Sequence, residues 1–161
     1  MMERVEMKTK VTKWDYRYIG LAHHIAEWSS CLSRKVGALI TVNRRIVATG
    51  YNGAPAGVKS CRELGFCLRK DSKSGENLDT CLAAHAEQNC LIQASKTNIS
   101  VDGGNIYITT YPCSTCMKLI INAGIKKVFY SQAYNSPLTE RLAKEAGVEL
   151  IQILPNKDLE N

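Results

Sequence analysis

Two short motifs commit this chain to one geometry: His85-Ala86-Glu87 and Pro112-Cys113-Ser114-Thr115-Cys116. His85 and Cys113 stand 28 positions apart, with one predicted strand between them. Each motif falls at the start of a predicted helix, after a loop or strand. Helix starts of this kind converge at one edge of an open α/β sheet, so the fold must allow the two motifs to meet. The surrounding pattern agrees. From residue 83 onward, helices at 83–96, 114–124 and 138–146 alternate with strands at 106–109, 127–130 and 148–154. Gly124 and Gly147 stand as C-terminal glycines of two of those helices. Such alternation predicts a mixed sheet layered by helices.

The first half is simpler. A helix is predicted over 14–30, with Trp14, Tyr18, Leu21, Ala22, Ile25 and Ala26 facing the core at helical spacing. Strands at 36–42 and 46–49 flank the compact polar link Asn43-Arg44-Arg45 and read as an antiparallel hairpin. Residues 50–81 form a long glycine-rich irregular stretch holding Cys61, Cys67 and Cys81. A loop that long inside one domain is usually functional or braced by metal. The chain of 161 residues suits a single domain, 1–161, with its core at about 14–154.

Composition narrows the chemistry. Seven cysteines are an odd number and cannot all pair within the chain. The charged first residues carry no apolar leader, and no apolar run approaches the length needed to cross a bilayer. A cytoplasmic protein follows, in which disulfides do not persist and metal ligation is the natural use of thiols. The net charge of +6 suits an anionic partner. The basic residues are scattered and not interleaved with aromatics, which favours a nucleotide over a nucleic acid.

One imidazole and two thiolates, His85, Cys113 and Cys116, make a zinc-type donor set. The two-residue gap lets both sulfurs reach one ion, and a helix N-terminus favours their thiolate forms. Three protein ligands leave a fourth position for water, as in catalytic rather than structural sites. Glu87, two residues past His85, is offset on the helix, so it can carry protons at the site without ligating the metal. The order His-x-Glu, then Pro-Cys-x-x-Cys, is the signature of zinc deaminases that attack C4 of cytosine or C6 of adenine. A closed structural zinc, with Cys81 or Cys90 as fourth ligand, is the competing reading.

At these residues the sequence resembles the cytidine deaminase-like superfamily, and within it the deoxycytidylate deaminase family. The resemblance runs over about 14–154. It rests on the two metal motifs, Val36-Gly37-Ala38, Gly50-Tyr51-Asn52-Gly53-Ala54-Pro55-Ala56-Gly57 and Ala123-Gly124-Ile125-Lys126-Lys127-Val128. It implies a three-layer α-β-α fold around a five-stranded mixed sheet, and hydrolysis of dCMP to dUMP for thymidylate synthesis. It implies substrate contacts from Asn52, Ala86, Lys96 near the 5′-phosphate, and Tyr130. It further implies a second, structural zinc on Cys31, Cys61, Cys67 and Cys81, with Cys90 left as a packing residue. A hexameric homo-oligomer, dCTP and dTTP as effectors, and Mg²⁺ accompanying a nucleotide effector are also implied. Gln88, where relatives more often carry Leu or Met, is a departure. Three rival functions stay open: a deaminase of dCTP, a tRNA adenosine deaminase, and a zinc-braced nucleic-acid-binding module.

Overall fold

A computed structural model describes residues 9–73 and 75–154. Five strands form one mixed sheet in the order β2-β1-β3-β4-β5. Strands β1 (Gly37–Val42) and β2 (Arg45–Tyr51) pair antiparallel, and β1 pairs antiparallel with β3 (Asn105–Thr110). Strand β3 then runs parallel to β4 (Lys127–Gln132), and β4 parallel to β5 (Glu149–Gln152). The β1–β2 hairpin closes where Asn43 and Arg44 both adopt positive φ, 50° and 64°. Two successive left-handed residues give the turn whose twist matches the paired strands.

Helix α1 (Lys13–Ala26) packs on one face of the sheet. Tyr18, Ile19, Ala22 and Ile25 meet Leu39, Tyr107, Phe129 and Ile153 there. The Tyr107 and Phe129 rings stack with centroids 4.6 Å apart. Thr12 caps α1 in a reciprocal box with Asp15, whose other carboxylate oxygen accepts from the buried Tyr107 hydroxyl at 2.7 Å. Helices α3 (Ala86–Lys96), α4 (Ser114–Asn122) and α5 (Pro137–Ala146) cover the opposite face. Ala86, Cys90, Ala94, Met117, Ile120 and Ala143 pack there on Ala38, Ile40, Ile106, Ile108 and Val128. The architecture is the expected three-layer α-β-α arrangement, and Cys90 is fully buried in it.

Two glycines set how closely the layers approach. A Cβ at Gly37 would collide with the Ala22 carbonyl and the Ala26 amide of α1. A Cβ at Gly50 would collide with the Ala86 carbonyl and the Cys90 amide of α3. Strand β2 therefore lies directly against the first turns of α3, the helix that carries the chemistry.

Some expectations are corrected. The first helix ends at Ala26, not at 30, because Ser29 leaves the helix to bond Asn52. Trp14 and Leu21 are 44% and 37% exposed and do not join the core. The stripe that reaches the sheet is centred on Tyr18, Ala22 and Ile25, and Trp14 lies outside it, stacked on Tyr18 and covered by the Arg17 guanidinium. The irregular stretch contains one short helix, α2 (Cys61–Leu64), and a 3₁₀ turn at Leu78–Thr80.

Candidate metal centre and cavity

The two motifs meet at the sheet edge where the C-terminal ends of β2 and β3 lie beside the N-terminal end of β1. His85 is the N-cap residue of α3 and Cys113 the N-cap residue of α4, both in extended conformation. Gln88 stabilises the first start by accepting the His85 N–H at 2.7 Å. The second is held from outside: fully buried Thr139 of α5 donates to the Pro112 carbonyl at 3.1 Å. Extended N-caps point their side chains back over the free N–H groups of the helix start. Cys113 Sγ accepts the Cys116 N–H at 3.5 Å accordingly.

His85 Nδ1 lies 3.5 Å from Cys113 Sγ and 3.4 Å from Cys116 Sγ. All three donor atoms fall within 4.8 Å of one another. Ligands of one tetrahedral zinc at bond lengths of about 2.0–2.3 Å are separated by about that much, so this donor set fits zinc. Its protonation fits as well. The Cys113 thiol is brought down to about 4, first by the hydrogen bond from Cys116 and then by His85, against the opposing effect of burial. The proton Cys113 gives up is held by its neighbours: Cys113 raises Cys116, and the hydrogen bond to Cys113 raises His85. A divalent cation at the centre would replace those shared protons and hold both sulfurs as thiolates.

Glu87, the second residue of α3, is only 5% exposed. Burial pushes its carboxyl up to about 7. It is in hydrogen-bond contact with Cys116 and is not one of the three gathered donors. A carboxyl poised near neutrality beside a metal trio can take and return protons at working pH.

His85, Cys113 and Glu87 line a cavity of about 290 Å³, with Cys116 fully buried behind them. That is near the lower end for small-molecule sites. A wider hollow of about 540 Å³, between Trp28, Tyr51 and the 53–60 loop, holds none of these groups, so the smaller cavity is the chemical one.

The other expected residues divide. Ala86 and Asn52 line the cavity. Asn52 is nearly saturated by the fold: its Oδ1 accepts from the Val36 N–H at 2.8 Å and the Ser29 hydroxyl at 2.7 Å, and its Nδ2 donates to the Arg34 carbonyl at 2.8 Å. One amide hydrogen is left for a ligand. Tyr130 is half-buried on β4 and does not line the cavity; it packs edge-on, at 4.9 Å between ring centroids, against Tyr111, which does. Lys96 ends α3 at the exposed surface, away from the cavity. Cys31, Cys61, Cys67 and Cys81 all line the cavity. The Cys61 thiol is raised by burial and then by Cys67, Cys31 and Cys81, so the four are neighbours. Among the described residues, His85, Cys113 and Cys116 are the group whose donor atoms all lie within 4.8 Å of one another. Sequence reasoning missed Gln88 and Thr139, which fix the helix starts, and the cations Arg34, Arg69 and Lys73 in the wall. Gln88 had a signal, since a Gln three residues after an N-cap closes a capping box. The others had none.

A metal trio with a protonatable carboxyl beside it, at paired helix starts on this three-layer sheet, defines the zinc hydrolases that deaminate nucleobases. Residues 12–132 match the cytidine and deoxycytidylate deaminase zinc-binding region. The chain therefore belongs to the cytidine and deoxycytidylate deaminase family. It is 41% identical over 145 residues to the deoxycytidylate deaminase of Schizosaccharomyces pombe, covering 88% of this chain but only 44% of that protein. It is 38% identical over 141 residues to ComE operon protein 2 of Bacillus subtilis, covering 87% of this chain and 71% of that one. Among solved structures it resembles the dCMP deaminase of cyanophage S-TIM5 in complex with dCMP and dUMP. The TM-score is 0.75 and the identity 30%, over 90% of this chain and 100% of the phage chain. Among the described residues, no helix is long and apolar enough to cross a membrane.

Proposed function

We propose that this protein hydrolyses the 4-amino group of dCMP, giving dUMP and ammonia. The observation that carries the reading is Glu87, buried and poised near neutrality beside the His85, Cys113 and Cys116 trio. His85, Cys113 and Cys116 would hold a zinc ion, which would supply the Lewis acid that makes water nucleophilic near neutral pH. Glu87 accepts a proton from the attacking water. It passes that proton to N3, then takes the proton of the new C4 hydroxyl and passes it to the departing amine as the C4–N bond breaks, so its carboxylate ends the cycle as it began. The backbone at Ala86 and the remaining amide hydrogen of Asn52 are the polar groups offered to base and sugar. The S. pombe relative and the phage enzyme with dCMP and dUMP support dCMP over a tRNA or a triphosphate.

The test is ammonia release from dCMP, dCTP, cytidine and tRNA offered in parallel. Conversion of dCMP at the highest kcat/KM is expected. Conversion of tRNA alone, or of nothing, overturns the reading.

The same proposal assigns a second, structural zinc to Cys31, Cys61, Cys67 and Cys81. Their common position on the cavity wall supports it, because four thiolates there would tie the 61–81 loop to the end of α1. Metal analysis should return two zinc ions per chain, and one after Cys67→Ser. We also assign the hollow beside Trp28 and Tyr51 to the dCTP and dTTP effectors, with the chain assembled as an oligomer. A sigmoidal dCMP response that dCTP makes hyperbolic is the expected readout.

A further inference from the structure

A nucleoside monophosphate presents two features to this cavity, a base that must reach the trio and a dianionic phosphate that must stay near the mouth. The charged side chains of the wall are unequal in number. Glu87, His85, Arg34, Arg69 and Lys73 line the cavity, and Glu87 is buried at its floor. Among the described residues, none of the three cations has a carboxylate within ion-pairing distance. Cations left without partners at the mouth of a cavity with one buried acid make it electropositive, as an anionic substrate requires.

The three differ in how well they are held. Arg69 is half-buried, and its Nε donates to the Glu76 carbonyl at 2.9 Å. That bond fixes the guanidinium by its inner nitrogen and leaves the two terminal nitrogens, the fork that fits a phosphate. The loop around it is a series of turns: Lys70 N–H to the Cys67 carbonyl, Ser72 N–H to the Arg69 carbonyl, and Glu76 N–H to the Lys73 carbonyl, each 3.0 Å. Lys73 N–H also donates to the Glu76 carboxylate at 3.2 Å. Cys67 and Cys81 flank these turns and line the same cavity. By contrast, Arg34 is exposed, with only its carbonyl held by Asn52. Lys96 lies about 15 Å along α3 from the metal end, by the rise of 1.5 Å per residue.

We infer that Arg69, with Lys73 beside it, holds the 5′-phosphate of the substrate and so selects the monophosphate over the free nucleoside. The inference rests on the proposed deamination of dCMP. It makes the cysteine-flanked loop a specificity device as well as a brace. Arg69 grips by paired hydrogen bonds, and Lys73 adds a point charge that tolerates movement.

The zinc-loaded enzyme is assayed on dCMP and on deoxycytidine, which lacks the phosphate, with dUMP and deoxyuridine as competing inhibitors. Arg69→Gln should raise KM for dCMP and weaken dUMP inhibition about 10- to 100-fold, the range for hydrogen bonds to a charged group. Deoxycytidine turnover and deoxyuridine inhibition should stay at the wild-type level. Arg69→Lys should recover part of the loss, Lys73→Gln should show a smaller one, and Arg34→Gln should leave the phosphate preference intact. Equal losses toward phosphorylated and unphosphorylated ligands in Arg69→Gln, or the phosphate-specific loss in Arg34→Gln instead, overturn the inference. Should the Arg69→Gln protein fail to fold, the Arg69→Lys and Lys73→Gln proteins carry the same comparison. Wild type that does not deaminate dCMP is a failure of the proposed function. Wild type that does so, with an unchanged preference in the Arg69 variants, is a failure of this inference alone.

Discussion

Replacing Asn52 with alanine separates a structural role from a ligand role at one position. The Asn52 side chain joins three separate pieces of chain. It accepts from Val36 N–H at 2.8 Å and Ser29 Oγ at 2.7 Å, and donates to the Arg34 carbonyl at 2.8 Å. Ser29 is fully buried and keeps two partners in the variant, donating to the Asn52 backbone carbonyl at 2.7 Å and accepting the Cys31 N–H at 3.1 Å. Val36 N–H has no such second partner, and the Arg34 carbonyl can turn to water. Three lost bonds at about 1 kcal/mol each amount to about 3 kcal/mol, the half-buried Val36 donor adding to that and water entry from the cavity subtracting. At a urea m-value of about 2 kcal/mol/M, the unfolding midpoint should fall by about 1.5 M. The assay is equilibrium urea unfolding of the zinc-loaded protein, with dCMP kinetics on the same preparation. Asn52→Asp retains both acceptor contacts and loses the donor, so its midpoint should fall between the two. A midpoint for Asn52→Ala that matches wild type, with KM alone raised, would refute the reasoning. It would mean that the amide faces the nucleotide rather than the fold.

Other outcomes follow from the same geometry. Glu87→Gln should retain zinc by metal analysis and lose about 10²- to 10⁴-fold in kcat, the usual contribution of a positioned proton carrier. In chelated protein the raised Glu87 pKa favours the protonated folded form. Its stabilising contribution is full below 4.5 and lost as pH rises through about 7, a change of about 3 kcal/mol that Glu87→Gln should lack in urea titrations. Gly50→Ala should destabilise by about 1–3 kcal/mol and lower kcat, because its Cβ would push the Ala86 end of α3 away from β2; melting temperature and turnover report both. Cys113→Ser should remove the zinc shared with His85 and Cys116 and abolish deamination, with loss of both read from one dialysed sample.

Short-range information explains why the chemistry was readable before the fold. His85 and Glu87 are two residues apart, and Cys113 and Cys116 are three apart at a helix start, so secondary structure alone fixes each pair's geometry. The strand and helix alternation after residue 83 then brought the pairs to one sheet edge. The single glycines at 37 and 50 needed the structure, because close approach depends on which layer faces them. So did the end of α1. Apolar periodicity carried it to 30, but Ser29 satisfies a distant asparagine instead of a helical turn.

What the amino-acid order determined by itself was the metal donor set, the carboxyl beside it and the layered sheet, since all of these follow from spacings of a few residues and from helical and strand periods. Only the tertiary structure decided which distant side chains share the cavity. It left Lys96 at the far end of a rigid helix and folded the irregular loop back so that Arg69 and Lys73 line the wall. A loop has no fixed period, and the place its side chains reach depends on the surface against which it closes.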